Sequence, residues 1–262
     1  MLRVALLAFA FSFLLPACKK PDNNPSGNDP IPTTNRIKTY RITYLEGEDA
    51  GKYIEHRFTY NSNGLVDAMQ VSAGTLGIVA TIQYERYPAY FVRRTYIGSS
   101  QTPDNSGSDS LTTNADGRIT GRYQQSYGIV LQTLFDYDSA RRLREWTLQS
   151  SVSPANPSIN TISWIGGDAI TVKADEMRTQ AWFLGGNYTY DTAVAGQSAH
   201  PLTLFALTEW GEPLIRSAHH ATAQEGGGRQ LLQNITWKYD RIQSYESYGT
   251  DMKKIKIEFT YY

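Results

Sequence analysis

The feature that most constrains this chain is a side-chain period of two that recurs along most of its length. Tyr40, Ile42 and Tyr44 alternate with polar neighbours, as do Ile54, His56, Phe58 and Tyr60, and then Ile78, Ala80, Ile82 and Tyr84. The spacing returns in Ile129, Leu131, Thr133, Phe135 and Tyr137, in Leu231, Gln233, Ile235, Trp237 and Tyr239, and in Ile255, Ile257, Phe259 and Tyr261. Successive side chains of a strand point to opposite faces, so the pattern predicts half-buried β-strands with one apolar face each. Only one stretch reads differently. Pro201 suits a first helical turn, Leu202, Phe205, Ala206 and Glu209 share a helical face, and Gly211 can close the end, which predicts one short helix over 201–210.

Turn chemistry says how the strands connect. Tyr60-Asn61-Ser62-Asn63-Gly64-Leu65 and Thr113-Asn114-Ala115-Asp116-Gly117-Arg118-Ile119 place Asn-Gly and Asp-Gly between extended segments, a hairpin signal because these residues tolerate positive φ. Phe135-Asp136-Tyr137-Asp138-Ser139-Ala140-Arg141-Arg142-Leu143 reads as the same unit with its glycine lost, and Trp237-Lys238-Tyr239-Asp240 as the start of a more degenerate one. The expected fold is all-β: a large twisted antiparallel β-meander, one curved open sheet of degenerate hairpins, with the single helical insert near 201–210.

Ahead of this body the chain reads as an address and a tether. Arg3 is followed by Val4 to Leu15, apolar apart from Ser12, a run too short to cross a hydrocarbon core as a helix. It ends Leu15-Pro16-Ala17-Cys18, which resembles a bacterial lipobox, and Cys18 is the chain's one cysteine. We therefore expect a signal peptide over 1–17 and a lipidated Cys18, two or three acyl chains giving a lasting membrane anchor. Residues 18–35 follow as a Pro/Asn-rich tether with four prolines and four asparagines, and 36–262 form a single β-rich domain. An acylated Cys18 leaves no thiol for a disulfide, a zinc thiolate site or a cysteine nucleophile. With 25 basic residues against 25 acidic ones the chain offers no polybasic field for nucleic acid.

The unit made of a strand-ending aromatic, Asn or Asp, two small residues, Gly, and then Arg or Leu is similar to the YD-type unit of RHS proteins. Joined to a lipobox, a Pro/Asn-rich tether, the apolar segment His200-Pro201-Leu202-Thr203-Leu204-Phe205-Ala206-Leu207 and an aromatic C-terminus, it resembles a family of Bacteroidota cell-envelope lipoproteins over Arg36 to Tyr262. The resemblance implies a twisted antiparallel sheet curved around a small helical insert. The lipobox implies export and lipid anchoring to the outer membrane, at its periplasmic face or at the cell surface. Asp109-Ser110-Leu111, Asp138-Ser139-Ala140 and Asp191-Thr192-Ala193 also resemble the acceptor tripeptide of periplasmic O-glycosylation in these bacteria, with Ser110, Ser139 and Thr192 as the acceptors, although each is equally an ordinary turn tripeptide.

Few residues suggest chemistry. His219-His220 is the strongest metal-ligand pair by type, but adjacent strand residues face opposite ways and cannot share one ion, so both read as loop residues. His56 shares a face with Ile54 and Phe58 and reads as a core or rim histidine. Glu209 and Glu212 flank Gly211 like a glycosidase pair, yet spacing alone is weak and solvated loop carboxylates are the simpler reading. Ser198 lacks the second glycine of a nucleophile elbow, and Glu225-Gly226-Gly227-Gly228-Arg229 lacks the Lys-Ser/Thr of a P-loop. No catalytic residue, metal or cofactor is expected. Eighteen tyrosines and five tryptophans on a secreted sheet could stack on sugar rings, with Trp146, Trp182 and Trp210 as candidate platforms, although tyrosine is at home in strands without any ligand. The aromatic C-terminus invites comparison with an outer-membrane barrel, but strands such as Arg36 to Arg41 carry charge too freely to face lipid. The expected function is a non-enzymatic binding or assembly module of the envelope with a glycan or envelope-protein partner. Its alternatives are a carbohydrate-binding or carbohydrate-active protein, and a carrier whose apolar concavity under the sheet is plugged by the helix near Leu204.

Overall fold

The computed structural model describes residues 36–104, 107–173, 185–195, 199–226, 229–230, 232–239, 241–248 and 253–262. Its strands are β1 (Ile37–Tyr44), β2 (Tyr53–Tyr60), β3 (Val66–Ala73), β4 (Ile78–Arg86), β5 (Tyr90–Ile97), β6 (Gly107–Thr113), β7 (Ile119–Ser126), β8 (Ile129–Tyr137) and β9 (Leu143–Ser150). They continue as β10 (Ser153–Ile165), β11 (Asp168–Lys173), β12 (Gly186–Ala195), β13 (His219–Gly226), β14 (Arg229–Gln230), β15 (Gln233–Lys238), β16 (Arg241–Tyr248) and β17 (Lys254–Tyr261). The helix, α1 (Pro201–Trp210), lies between β12 and β13, as the sequence predicts.

Every described pairing is antiparallel and joins chain neighbours, apart from one: β1 pairs with β2 on one side and with β17 on the other. An unbroken run therefore leads from β15 through β16, β17, β1 and β2 on to β14. The two ends of that run, Gln230 and Gln233, are joined by two residues, a link that spans at most about 11 Å. The meander is thus not the open sheet expected but a nearly closed, barrel-like one. The period of two sorts its faces. Tyr245, Ile257, Ile42, Ile54 and Ala73 form one row across β16, β17, β1, β2 and β3, and this row faces inward. The next row, Ser244, Glu258, Arg41, Glu55 and Ser72, faces outward, with Arg41 Nη2 bonded to Glu55 Oε2 at 2.8 Å.

One rim is fastened by a repeated latch that the sequence reading only half captured. Asn61 Oδ1 accepts from the Asn63 and Leu65 amides at 3.0 and 3.1 Å, and Asn114 Oδ1 accepts from Asp116 and Arg118 at 3.0 Å each. Asp138 Oδ1 accepts from Arg142 N at 2.8 Å in the unit that lacks glycine, and Arg141 there takes φ 67°, where Gly64 and Gly117 take 77°. An aromatic at the end of a strand then donates to a carbonyl in the first two residues of its neighbour: Tyr60 to Ile37 at 3.0 Å, Tyr137 to Ile119 at 2.6 Å, Trp164 to Leu143 at 2.8 Å and Tyr261 to Ile242 at 2.7 Å. In each case the arginine just before the accepting residue, Arg36, Arg118, Arg142 or Arg241, lies over the same ring at 5.3 to 5.7 Å. The fourth predicted unit differs. Lys238 pairs with Arg241, so Tyr239 is an exposed turn residue with φ 51° and not a strand-ending ring.

Candidate functional site

The site is built around α1. Pro201 occupies the first turn, His200 Nδ1 caps it by accepting from Leu202 N at 3.1 Å, and Gly211 closes it in the left-handed region with its N–H on Leu207 O. Leu202, Thr203, Leu204, Ala206, Leu207 and Trp210 are all buried and only Pro201, Phe205, Thr208 and Glu209, along one side, are half-buried, so the helix buries more than the single face expected. The reason lies in its neighbours. Thr208 is bonded to Tyr40 of β1, Trp210 packs edge-on to Phe135 of β8 and Trp146 of β9, His200 stacks on Tyr188 and Tyr190 of β12, and Glu212, just past the helix, is paired with Arg86 of β4. Contacts on strands spread round the whole circuit place α1 inside the barrel-like sheet.

The helix leaves part of the interior unfilled. Between α1 and the inner faces of β16, β17 and β1 lies a mainly apolar cavity of about 220 Å³, walled by Ile42, Leu204, Phe205, Tyr245, Ile255 and Ile257. It runs from mid-strand, at Tyr40 and Tyr245, towards half-buried Tyr44 and Tyr248 at the strand ends remote from the latched rim. Tyr40 Oη donates to Thr208 Oγ1 at 3.0 Å, because the Thr208 hydroxyl itself donates to Leu204 O. Burial, the largest influence, pushes the Tyr40 phenol well above its ordinary range; Thr208 opposes the shift and the charge of Glu209 adds to it. Buried Tyr245 also lines the cavity.

Beyond α1 the interior holds ion pairs. Asp109 accepts from Arg122 Nε and Nη2 at 2.9 and 2.7 Å and from Arg93 Nη1 at 3.0 Å. Burial alone would raise its carboxyl, but the two guanidiniums outweigh that and hold it below the usual range. Glu209 stands 3.5 Å from Arg122 Nη1. Glu212 lies 2.6 Å from Arg86 Nη1, yet its burial wins and its carboxyl is raised. The two carboxylates considered as a glycosidase pair are therefore tied to separate arginines, and Glu212 is buried instead of solvated.

The remaining sequence candidates separate. Trp146 and Trp210 are each 3% exposed and meet at 5.8 Å between ring centroids, with Phe205 and Phe135 around them. They cannot stack on a sugar, because closing the sheet turned their faces into the core around α1. Trp182, Cys18 and Ser198 lie outside the described residues. His219 and His220 begin β13 and are not loop residues, and they do point apart: His219 Nδ1 meets Asp168 Oδ2 at 2.7 Å, whereas His220 is buried edge-on to Trp237. His56 is stacked on Tyr40 at 4.3 Å. Among the described residues, no three His, Cys, Asp or Glu side chains gather as a metal would require. Ser139 and Thr192 are exposed, while Ser110 is half-buried within β6. The Asp138 that precedes Ser139 spends its carboxylate on the turn, at Arg142 N and Nε. The cavity residues themselves were not singled out as a site. Their inward phase was legible, but which strands share one wall was not.

No protein-family model matches this sequence, and no curated protein matches it either. Among solved structures the chain is similar to a porin-like protein from Bacteroides uniformis ATCC 8492, with a TM-score of 0.54, 15% sequence identity and coverage of 87% of this chain and 98% of that one. The likeness is one of fold. On β17, β1 and β2 the outward Glu258, Arg41 and Glu55 put charge at mid-strand while Ile257, Ile42 and Ile54 face inward, the reverse of the lipid-facing side and polar lumen of a membrane-spanning strand.

Proposed function

We propose that this protein is a non-enzymatic binding module of the cell envelope that takes a small apolar guest into the cavity beside α1. The observation that carries the reading is the cavity itself, about 220 Å³ of mainly apolar space between α1 and β16, β17 and β1. A cavity of roughly 150 Å³ lined by aliphatic and aromatic residues stays dry and accepts benzene, whereas drug-sized ligands occupy about 300–1,000 Å³. The guest is accordingly one ring or one short alkyl chain, not a diacyl lipid. Carriage fits a chain whose Cys18, once acylated, would hold the domain at a membrane where such molecules partition. The sugar-binding alternative has lost two of its three proposed rings to the core.

The strands and helix described all lie within 36–262, so a chain starting at Arg36 contains the whole barrel-like sheet and is suited to titration. Octanol should bind it saturably by calorimetry and raise its melting temperature, since a ligand of the native state stabilises by mass action. Ser247→Phe, which adds a ring at the cavity wall, should abolish the binding while leaving cooperative unfolding intact. An unaltered domain that takes up no single-chain guest at all would refute the reading.

A further inference from the structure

The chemistry of the cavity wall points to the kind of guest, an inference that rests on the cavity being a binding site. Of the side chains lining it, only Glu209 carries a formal charge. Its side chain keeps 35% of its exposure, and its sole described ion-pair partner is Arg122 Nη1 at 3.5 Å. That arginine is otherwise committed, with Nε and Nη2 both on Asp109 at 2.9 and 2.7 Å. The Glu209 charge also acts on Arg93, itself bonded to Asp109 at 3.0 Å. Arg93 and Arg122 do not line the cavity, so an occupant would meet Glu209 first, and the nearer charge dominates because Coulomb energy falls with distance. The last turn of α1 ends one residue later, and the negative end of its dipole adds to the potential at the same place.

The walls agree with that sign. Tyr40, Tyr44, Tyr245 and Tyr248 surround the cavity with Phe205, and aromatic faces attract a cation as they do not attract an anion. A carboxylate guest of equal length would bring a second negative charge beside Glu209. We propose that the cavity binds an apolar amine, with its chain or ring among Ile42, Leu204 and Ile257 and its ammonium group against Glu209 and the tyrosine faces. Thr208 and Tyr40 bond to each other and so do not compete for the head group.

Calorimetric titration of residues 36–262 near neutral pH with octylamine, octanol and octanoate tests this, since the three share a tail and differ in head charge. Octylamine should bind about tenfold more tightly than octanol and octanoate most weakly, the scale of a partly desolvated cation–aromatic and ion-pair contact. Glu209→Gln should narrow the difference between octylamine and octanol to less than twofold. Equal or tighter binding of octanol or octanoate by the unaltered domain would overturn the assignment of an amine and leave the cavity reading standing. Failure of all three to bind would overturn both. Because the unaltered domain alone decides among the three, the inference stays testable even if Glu209→Gln weakens the fold.

Discussion

At the residue scale the molecule is organised by which polar groups the rim aromatics satisfy. Ile119 and Leu143 are fully buried, so their carbonyls need a donor, and Tyr137 and Trp164 supply it from the neighbouring strand end. The arginine over each ring adds an attraction that costs no further hydrogen bond. Half of this was legible. The Tyr-Asp turn could be read because Asn61, Asn114 and Asp138 are local devices acting within four residues. The hydroxyl-to-carbonyl contact spans two strand lengths, and nothing in the local sequence marks Ile119 as its acceptor. Tyr137→Phe should therefore cost about 1 kcal/mol by urea denaturation, the net worth of a neutral hydrogen bond whose acceptor stays buried. Tyr123→Phe, on an outward-facing ring, should cost almost nothing; equal losses at both sites would argue against the latch.

At the element scale, α1 shows what a sequence can and cannot say about a helix. Its start and stop were readable because Pro201 and Gly211 act by their own backbone restrictions. Its surroundings were legible only as far as the resemblance implied a sheet curved around the insert; the face shared by Leu202, Phe205, Ala206 and Glu209 did not show that Thr203, Leu207 and Trp210 are buried too. Nor did the sequence show that Trp146 and Trp210 meet in the core. Enclosure sets a strict demand at Gly211. It has φ 70°, and a Cβ there would collide with Cε1 of the Tyr84 ring on β4. A left-handed residue other than glycine costs about 1–2 kcal/mol, and the ring must also move. Gly211→Ala should thus lower stability by about 2 kcal/mol or more, whereas Gly128→Ala, where φ is 79° but nothing lies within 4 Å of the new methyl, should show only the backbone cost. Equal midpoints for the two variants in urea would mean that Tyr84 does not press on the helix end.

At the scale of the whole molecule, closure separates what the sequence predicted from what formed. A period of two gives the same signal in an open meander and in a barrel, and the pairing of β1 with β17 joins the two ends of the domain, beyond any local pattern. Charge along the strands argued against a lipid-facing barrel, and the outward Arg41, Glu55 and Glu258 keep that argument intact; a barrel with polar exterior and apolar interior was the possibility left unconsidered. Closing the sheet also traps histidines. Burial pushes His56 and His220 down to about 4 and His200 to about 3, the last helped by His220, while Asp191 partly opposes the shift at His220. An unfolded imidazole titrates near 6.5, so below that pH the unfolded chain takes up protons that the native state refuses. Stability should hence be at its full value above about pH 6.5 and fall as the pH drops towards 4. Each imidazole removes about 2 kcal/mol by about pH 5, or up to about 6 kcal/mol for the three together. Urea midpoints at about pH 7.5 and about pH 5 measure the fall directly. His220→Phe keeps an aromatic edge against Trp237 and removes one titrating group, so it should reduce the acid loss by about a third, and a stability independent of pH across this window would show that these rings are not sealed inside the sheet.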